Sequence, residues 1–138
     1  MIIVKKYIFF LLLLCGFSVR IYSQEAYIQT GIATYYSDAF HGRKTSCGEI
    51  YNNMLYTAAH ATLPFQTIVK ITNFSNDSTV IVRINDRCPN YPNRIIDLSK
   101  AAAKKINIIY SGIARVKIEV VLPADSISKS IGSGNLKK

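Results

Sequence analysis

Ile68-Val69-Lys70-Ile71-Thr72-Asn73 is followed by Ser75-Asn76-Asp77-Ser78 and then by Thr79-Val80-Ile81-Val82-Arg83-Ile84-Asn85. Residues alternate with a period of two on both sides of a turn-rich tetrapeptide, the pattern of a β-hairpin. Toward the C-terminus, Ala114, Val116, Ile118 and Val120 share one face opposite Arg115, Lys117 and Glu119, which predicts a final strand. Tyr27 to Tyr36, interrupted by Gly31, predicts a first strand, and Arg94 to Asp97 a short buried one. One helix stands out: Ser99 can cap it, and Lys100 to Ile106 is rich in Ala and Lys. A shorter helical turn is expected around Thr57 to His60. Short strands, long connections and one or two short helices imply a mainly β domain, an irregular barrel rather than a sandwich.

The 138 residues suffice for one domain. Lys5 and Lys6 precede the apolar stretch Tyr7 to Val19, which is shorter than the roughly 20 residues of a membrane span. That is the signal-peptide pattern. Residues 1–23 are therefore expected to be removed after Ser23, exporting the chain to the periplasm or cell envelope without a transmembrane anchor. Lipid anchoring through Cys15 is disfavoured, because Leu14 occupies the position where that cut needs a small residue. The domain is expected over 27–122, and 123–138, rich in Ser, Gly and Lys, reads as a flexible basic tail. The net charge is +9; without Lys5, Lys6 and Arg20 it is +6. Such a protein suits polyanionic surroundings such as wall polymers or lipid head groups, whereas export and the scatter of its cations argue against nucleic acid. Nothing in the chain predicts a metal site, a cofactor or an oligomer: it holds no Cys-x-x-Cys and only two histidines.

Polar residues suited to chemistry gather in three segments. Thr45-Ser46-Cys47-Gly48-Glu49 carries one carboxylate, Tyr56 to Pro64 contains His60 among apolar residues, and Asn85-Asp86-Arg87-Cys88 carries a second carboxylate at a strand end. Cleaving a glycan requires a carboxylic acid to protonate the departing oxygen, commonly with a second polar group. In an oxidising compartment the pair Cys47 and Cys88 reads most simply as a disulfide, with two buried thiols as the alternative. The bond would hold their Cα atoms roughly 6 Å apart, bring Glu49 and Asp86 to one end of the barrel, and so raise one carboxyl pKa. Each residue also has a structural reading. Asp86 beside Arg87 would be a turn cap, His60 a core histidine, Glu49 a surface acid, and Tyr35 and Tyr36 barrel filling or a platform for sugar rings.

At these segments the chain resembles the rare lipoprotein A family of peptidoglycan lytic transglycosylases. Gly31-Ile32-Ala33-Thr34-Tyr35-Tyr36 is similar to that family's Gly-x-Ala-Ser-Trp-Tyr, with Tyr35 in place of the tryptophan. Phe40-His41-Gly42-Arg43-Lys44-Thr45, Gly48-Glu49, Leu55 to His60 with Leu63-Pro64, Val82 to Arg87 and Arg94 to Ser99 follow in the family's order. The resemblance implies a six-stranded double-psi β-barrel. It implies Asp86 as the acid/base, with Glu49 and His60 as partners, and Tyr35, Tyr36, Thr45, Asn85 and Arg87 as glycan contacts. The implied reaction is cofactor-free cleavage of the MurNAc–GlcNAc bond in peptide-free strands, leaving a 1,6-anhydro end. Cys47 and Cys88 depart from the family pattern, standing where a small residue and a glycine are usual. A C-terminal glycan-binding repeat domain, found in longer relatives, is not expected here.

Two other functions fit the same residues: an expansin-like module that binds wall polymers without cutting them, and an inverting hydrolase with Asp86 as acid and Glu49 as base.

Overall fold

The computed structural model describes residues 26–125; the expected signal peptide and nearly all of the expected tail lie outside them. Six strands close into a single barrel in the order β1 (Ile28–Tyr35), β5 (Arg94–Leu98), β2 (Thr57–His60), β4 (Thr79–Asp86), β3 (Ile68–Asn73) and β6 (Ala114–Leu122). The pairs β1–β5 and β2–β4 are parallel and the rest antiparallel, giving the mixed closed sheet of a double-psi barrel. Closure leaves no strand edge unpaired.

The hairpin forms as its alternation requires. Val69 lies opposite Val82 and Ile71 opposite Val80, all buried, while Lys70 and Ile81 face outward. Val116 and Ile118 of β6 complete this wall. The core also takes Ile84, Ile96, Leu98, Ile106 and Ile108, each fully buried. Helix α1 (Lys100–Lys105) is capped by the Ser99 hydroxyl, which accepts from Ala102 N–H, and it buries Ala102 and Ala103 against the barrel.

Two expectations need correction. Thr57 to His60 is a strand, not a helical turn: all four residues are buried, with β4 on one side and β5 on the other. The helix propensity of Ala-Ala is a fraction of a kcal/mol per residue, about 0.7 or less between ordinary residues. Leaving buried backbone groups unpaired in mid-barrel costs more than that. Among the described residues the only α-helix of this domain core is therefore α1, beside a single 3-10 turn at Asp38–Phe40. Gly31 does not interrupt β1, which pairs through it to Val116. A Cβ there would lie 2.8 Å from the Asn93 carbonyl oxygen and 2.7 Å from Ile95 Cγ2, so the close passage of β5 requires glycine.

Register positions the site. Thr34 on β1 pairs with Asp97 on β5, Asp97 with Ala59 on β2, and Ala59 with Asp86 on β4. Two acidic residues thus occupy one row across the sheet, separated by a single strand, or roughly 10 Å between backbones. The long connection from β1 to β2 runs beside this row.

Candidate active site

A groove of about 690 Å³ opens at this row, lined by residues of β1, of the following loop, of the turn after β4, and of β5. Asp86 reaches it from the last position of β4. Its Oδ1 accepts from Ser46 N–H (2.8 Å), the Ser46 hydroxyl (2.7 Å) and Arg87 N–H (2.8 Å). Its Oδ2 accepts from the Tyr36 hydroxyl at 2.6 Å. Burial works against the anion, yet the Tyr36, Ser46 and Arg87 hydrogen bonds outweigh it and hold the carboxyl below its ordinary range. The Tyr36 hydroxyl is correspondingly pushed far up, first by burial and then by Asp86, so it stays a proton donor. Its ring packs against Tyr51 (4.8 Å) and Phe40 (5.5 Å).

Glu49 does not join this constellation. Arg83 grips it with two hydrogen bonds, 2.6 and 2.8 Å long, and Asn85 adds a third at 3.2 Å. These partners, Arg83 foremost, bring its carboxyl down to about 2 against the opposing effect of burial. Glu49 is thus a charge already neutralised, and the expected raising of one carboxyl by another does not occur. Thr45 is buried and donates its hydroxyl to the Glu49 carbonyl (3.0 Å), so Thr45 and Asn85 brace the Glu49 loop and stand outside the groove lining.

His60 is buried at 2% exposure and also stands outside the lining. Its Nδ1 accepts from Thr62 N–H (3.1 Å) and Leu63 N–H (3.0 Å), so the ring proton sits on Nε2, which faces Gln29 Oε1 at 2.9 Å. Burial, with help from Arg87, lowers its pKa and keeps it neutral. Arg87 closes this corner by donating to the His60 and Leu63 carbonyls (3.2 and 2.8 Å) and lying 3.9 Å from the Phe65 ring centroid. Tyr35 is intermediate between its two readings: it lines the groove, packs on the core and ties its hydroxyl to the Ile109 carbonyl at 3.0 Å.

The cysteines are free thiols and the expected bond is not formed. Cys47 lies against the Thr45 hydroxyl (3.4 Å), whereas Cys88 is buried with its thiol toward the Ala59 carbonyl (3.6 Å). The two loops meet anyway, through Ser46 and Asp86.

Sequence reasoning missed three residues. Ser46, which supplies two of the four hydrogen bonds to Asp86, sat unremarked beside Cys47. Asp97, the second carboxylate of the groove, accepts from the Thr34 hydroxyl and pairs with Arg94 at 3.2 Å. Its signal was a carboxylate beside Ile95, Ile96 and Leu98 in a short, mostly apolar strand. Arg83, read only as part of a strand, proves to be the partner of Glu49.

A family model described as lytic transglycolase matches residues 28–118. The endolytic peptidoglycan transglycosylase RlpA of Neisseria meningitidis serogroup A is 53% identical over 100 residues, covering 72% of this chain and 42% of that protein. Its namesake from Campylobacter jejuni is 57% identical over 91 residues, covering 66% and 33%. The chain therefore spans less than half the length of these relatives. Among solved structures, the apo expansin of Clavibacter michiganensis superposes with a TM-score of 0.56 at 20% identity, covering 71% of this chain and 52% of that one. The Streptomyces papain inhibitor gives 0.55 at 26%, covering 68% and 94%. The expansin likeness is one of fold.

Proposed function

We propose that this chain, which belongs to the lytic transglycolase family, cuts the MurNAc–GlcNAc bond of peptide-free peptidoglycan strands in the cell envelope and leaves 1,6-anhydro ends. The observation that carries the reading is Asp86, placed on the groove by a strand end and held there through both carboxylate oxygens. A protonated Asp86 gives its proton to the departing GlcNAc oxygen as the glycosidic bond breaks. The carboxylate so formed takes the proton of the muramic 6-hydroxyl as O6 bonds to C1, which restores the acid without water or a cofactor. Tyr36 and Ser46 steady the anionic form between the two transfers.

The resting carboxyl is an anion, so the first transfer needs it raised. Burial is already the largest influence on Asp86 and acts upward. A sugar filling the groove extends that burial and moves the carboxyl toward the protonated form. Glu49 and His60 act at one remove in this scheme, Glu49 through the Arg83 and Asn85 contacts and His60 through the turn that seats Arg87.

A second reading has one observation in its favour. Asp86 and Asp97 share a sheet row one strand apart, a separation compatible with the roughly 6.5–9.5 Å between carboxyls of inverting hydrolases. The hydrolase pair would then be Asp86 and Asp97, because Glu49 is bound to Arg83.

Mass spectrometry of soluble products from peptide-free peptidoglycan tests both, with Asp86→Asn alongside. Anhydro-muramic ends that vanish in the variant support the transglycosylase, and reducing ends support the hydrolase. Intact glycan with cosedimenting protein would leave a binding module.

A further inference from the structure

Four cations line the groove, and they differ in what they already hold. Arg87 is spent on backbone carbonyls and Arg94 pairs with Asp97. Arg43 and Lys44 are exposed and form no ion pair with any described residue. Their placement is nonetheless fixed. Arg43 donates its N–H to the Phe40 carbonyl (3.0 Å), and its own carbonyl accepts from Tyr51 N–H (2.8 Å). Its guanidinium lies 5.4 Å from the Phe40 ring centroid. Phe40 in turn packs on Tyr36, whose hydroxyl holds Asp86. Lys44 is bridged to Ile50 across the same loop. A short chain of contacts thus sets an unpaired guanidinium at a defined remove from the acid.

A peptide-free glycan offers one kind of anion to such a surface. Each muramic acid then carries a free lactyl carboxylate, whereas attachment of a stem peptide converts that carbon to a neutral amide. Resting on the glycan-cutting reading above, we propose that Arg43 and Lys44 bind the lactyl carboxylate and thereby select strands stripped of peptide. Arg43 suits the role because its planar fork matches a carboxylate and its stacking on Phe40 limits the freedom lost on binding.

The test keeps size constant and changes charge. Soluble peptide-free glycan oligomers are compared with the same oligomers whose lactyl carboxylates have been converted to methylamides. Affinity is measured by calorimetry on the Asp86→Asn protein, which does not consume the ligand, with and without Arg43→Gln plus Lys44→Gln. Amidation is expected to weaken binding about tenfold, the scale of two exposed ion pairs, and the added double substitution to abolish the difference. The charge-keeping pair Arg43→Lys and Lys44→Arg should retain it, which separates loss of charge from loss of fold. Equal affinity for both oligomers, no measurable affinity for the carboxylate form, or discrimination that survives the double substitution would overturn the proposal. Product analysis with Asp86 intact is read separately. Discrimination without anhydro ends would sink the cutting reaction and leave carboxylate recognition standing.

Discussion

Ser46 donates both its backbone N–H and its hydroxyl to Oδ1 of Asp86, across forty residues of sequence, at 2.8 and 2.7 Å. This double contact joins the two loops that carry the conspicuous acids, and it lowers the Asp86 carboxyl. Ser46→Ala keeps the N–H contact and removes the hydroxyl. Losing a hydrogen bond that favours the anion lets the carboxyl rise. In the proposed reaction Asp86 acts protonated, so activity should increase as pH falls through the carboxylate range, and the variant's profile should lie at higher pH than the parent's. An unmoved profile in kcat/KM against pH would show that Asp86 is not the titrating acid.

Glu49 supplies a second test, of stability rather than turnover. Its carboxyl stands at about 2 in the folded protein, below its ordinary 4.5, chiefly through Arg83. A depressed folded value means that the unfolded chain binds the proton more readily. The stabilisation is therefore complete above about pH 4.5 and disappears as pH falls toward 2. The pair is partly exposed, so its worth is about 1 kcal/mol after screening. Glu49→Gln should lower Tm at pH 7 and flatten this acid limb. Thermal melts from pH 7 to 2 that run parallel for both proteins would refute it.

How much of this was legible beforehand follows from which forces act locally. The β3–β4 hairpin, β6 and α1 could be read because alternation, turn residues and a capping serine are written in adjacent positions. β2 could not. Thr57-Ala58-Ala59-His60 has no strand pattern of its own, and becomes a strand because β4 and β5 flank it. The same limit applied to the site. Asp86 was visible from its position at a strand end, but the contacts of Ser46, Arg83 and Asp97 depend on the register of strands distant in sequence. The disulfide expectation counted cysteines correctly and could not see which way each thiol points.

Gly31 tests the register that creates the groove. A methyl group there meets the Asn93 carbonyl oxygen and Ile95 side chain well inside van der Waals distance. Since backbone cannot give way as a flexible side chain can, Gly31→Ala should force β1 and β5 apart. The expected cost is about 1–3 kcal/mol, seen as a lower urea midpoint. Because Thr34 and Asp97 pair across the same two strands, glycan binding should weaken as well. Unchanged stability would mean that β5 can shift freely, contrary to the packing described.

The thiols offer the last test. Cys88 is buried, and burial is the main cause that raises its pKa, so little thiolate is present at neutral pH. Cys47 is half-buried, with its sulfur against the Thr45 hydroxyl. In the native domain, iodoacetamide at pH 8 should modify Cys47 first and spare Cys88, and both should react once the chain is unfolded in urea. Modification at Cys47 adds bulk one residue from Ser46 and should therefore weaken its hold on Asp86, lowering glycan turnover before any loss of fold. Peptide mapping after graded alkylation reads the order of reaction, with activity followed on the same samples. Failure of either cysteine to react in urea without reductant would mean that the two sulfurs are bonded, and that the loops are joined covalently as well as through Ser46.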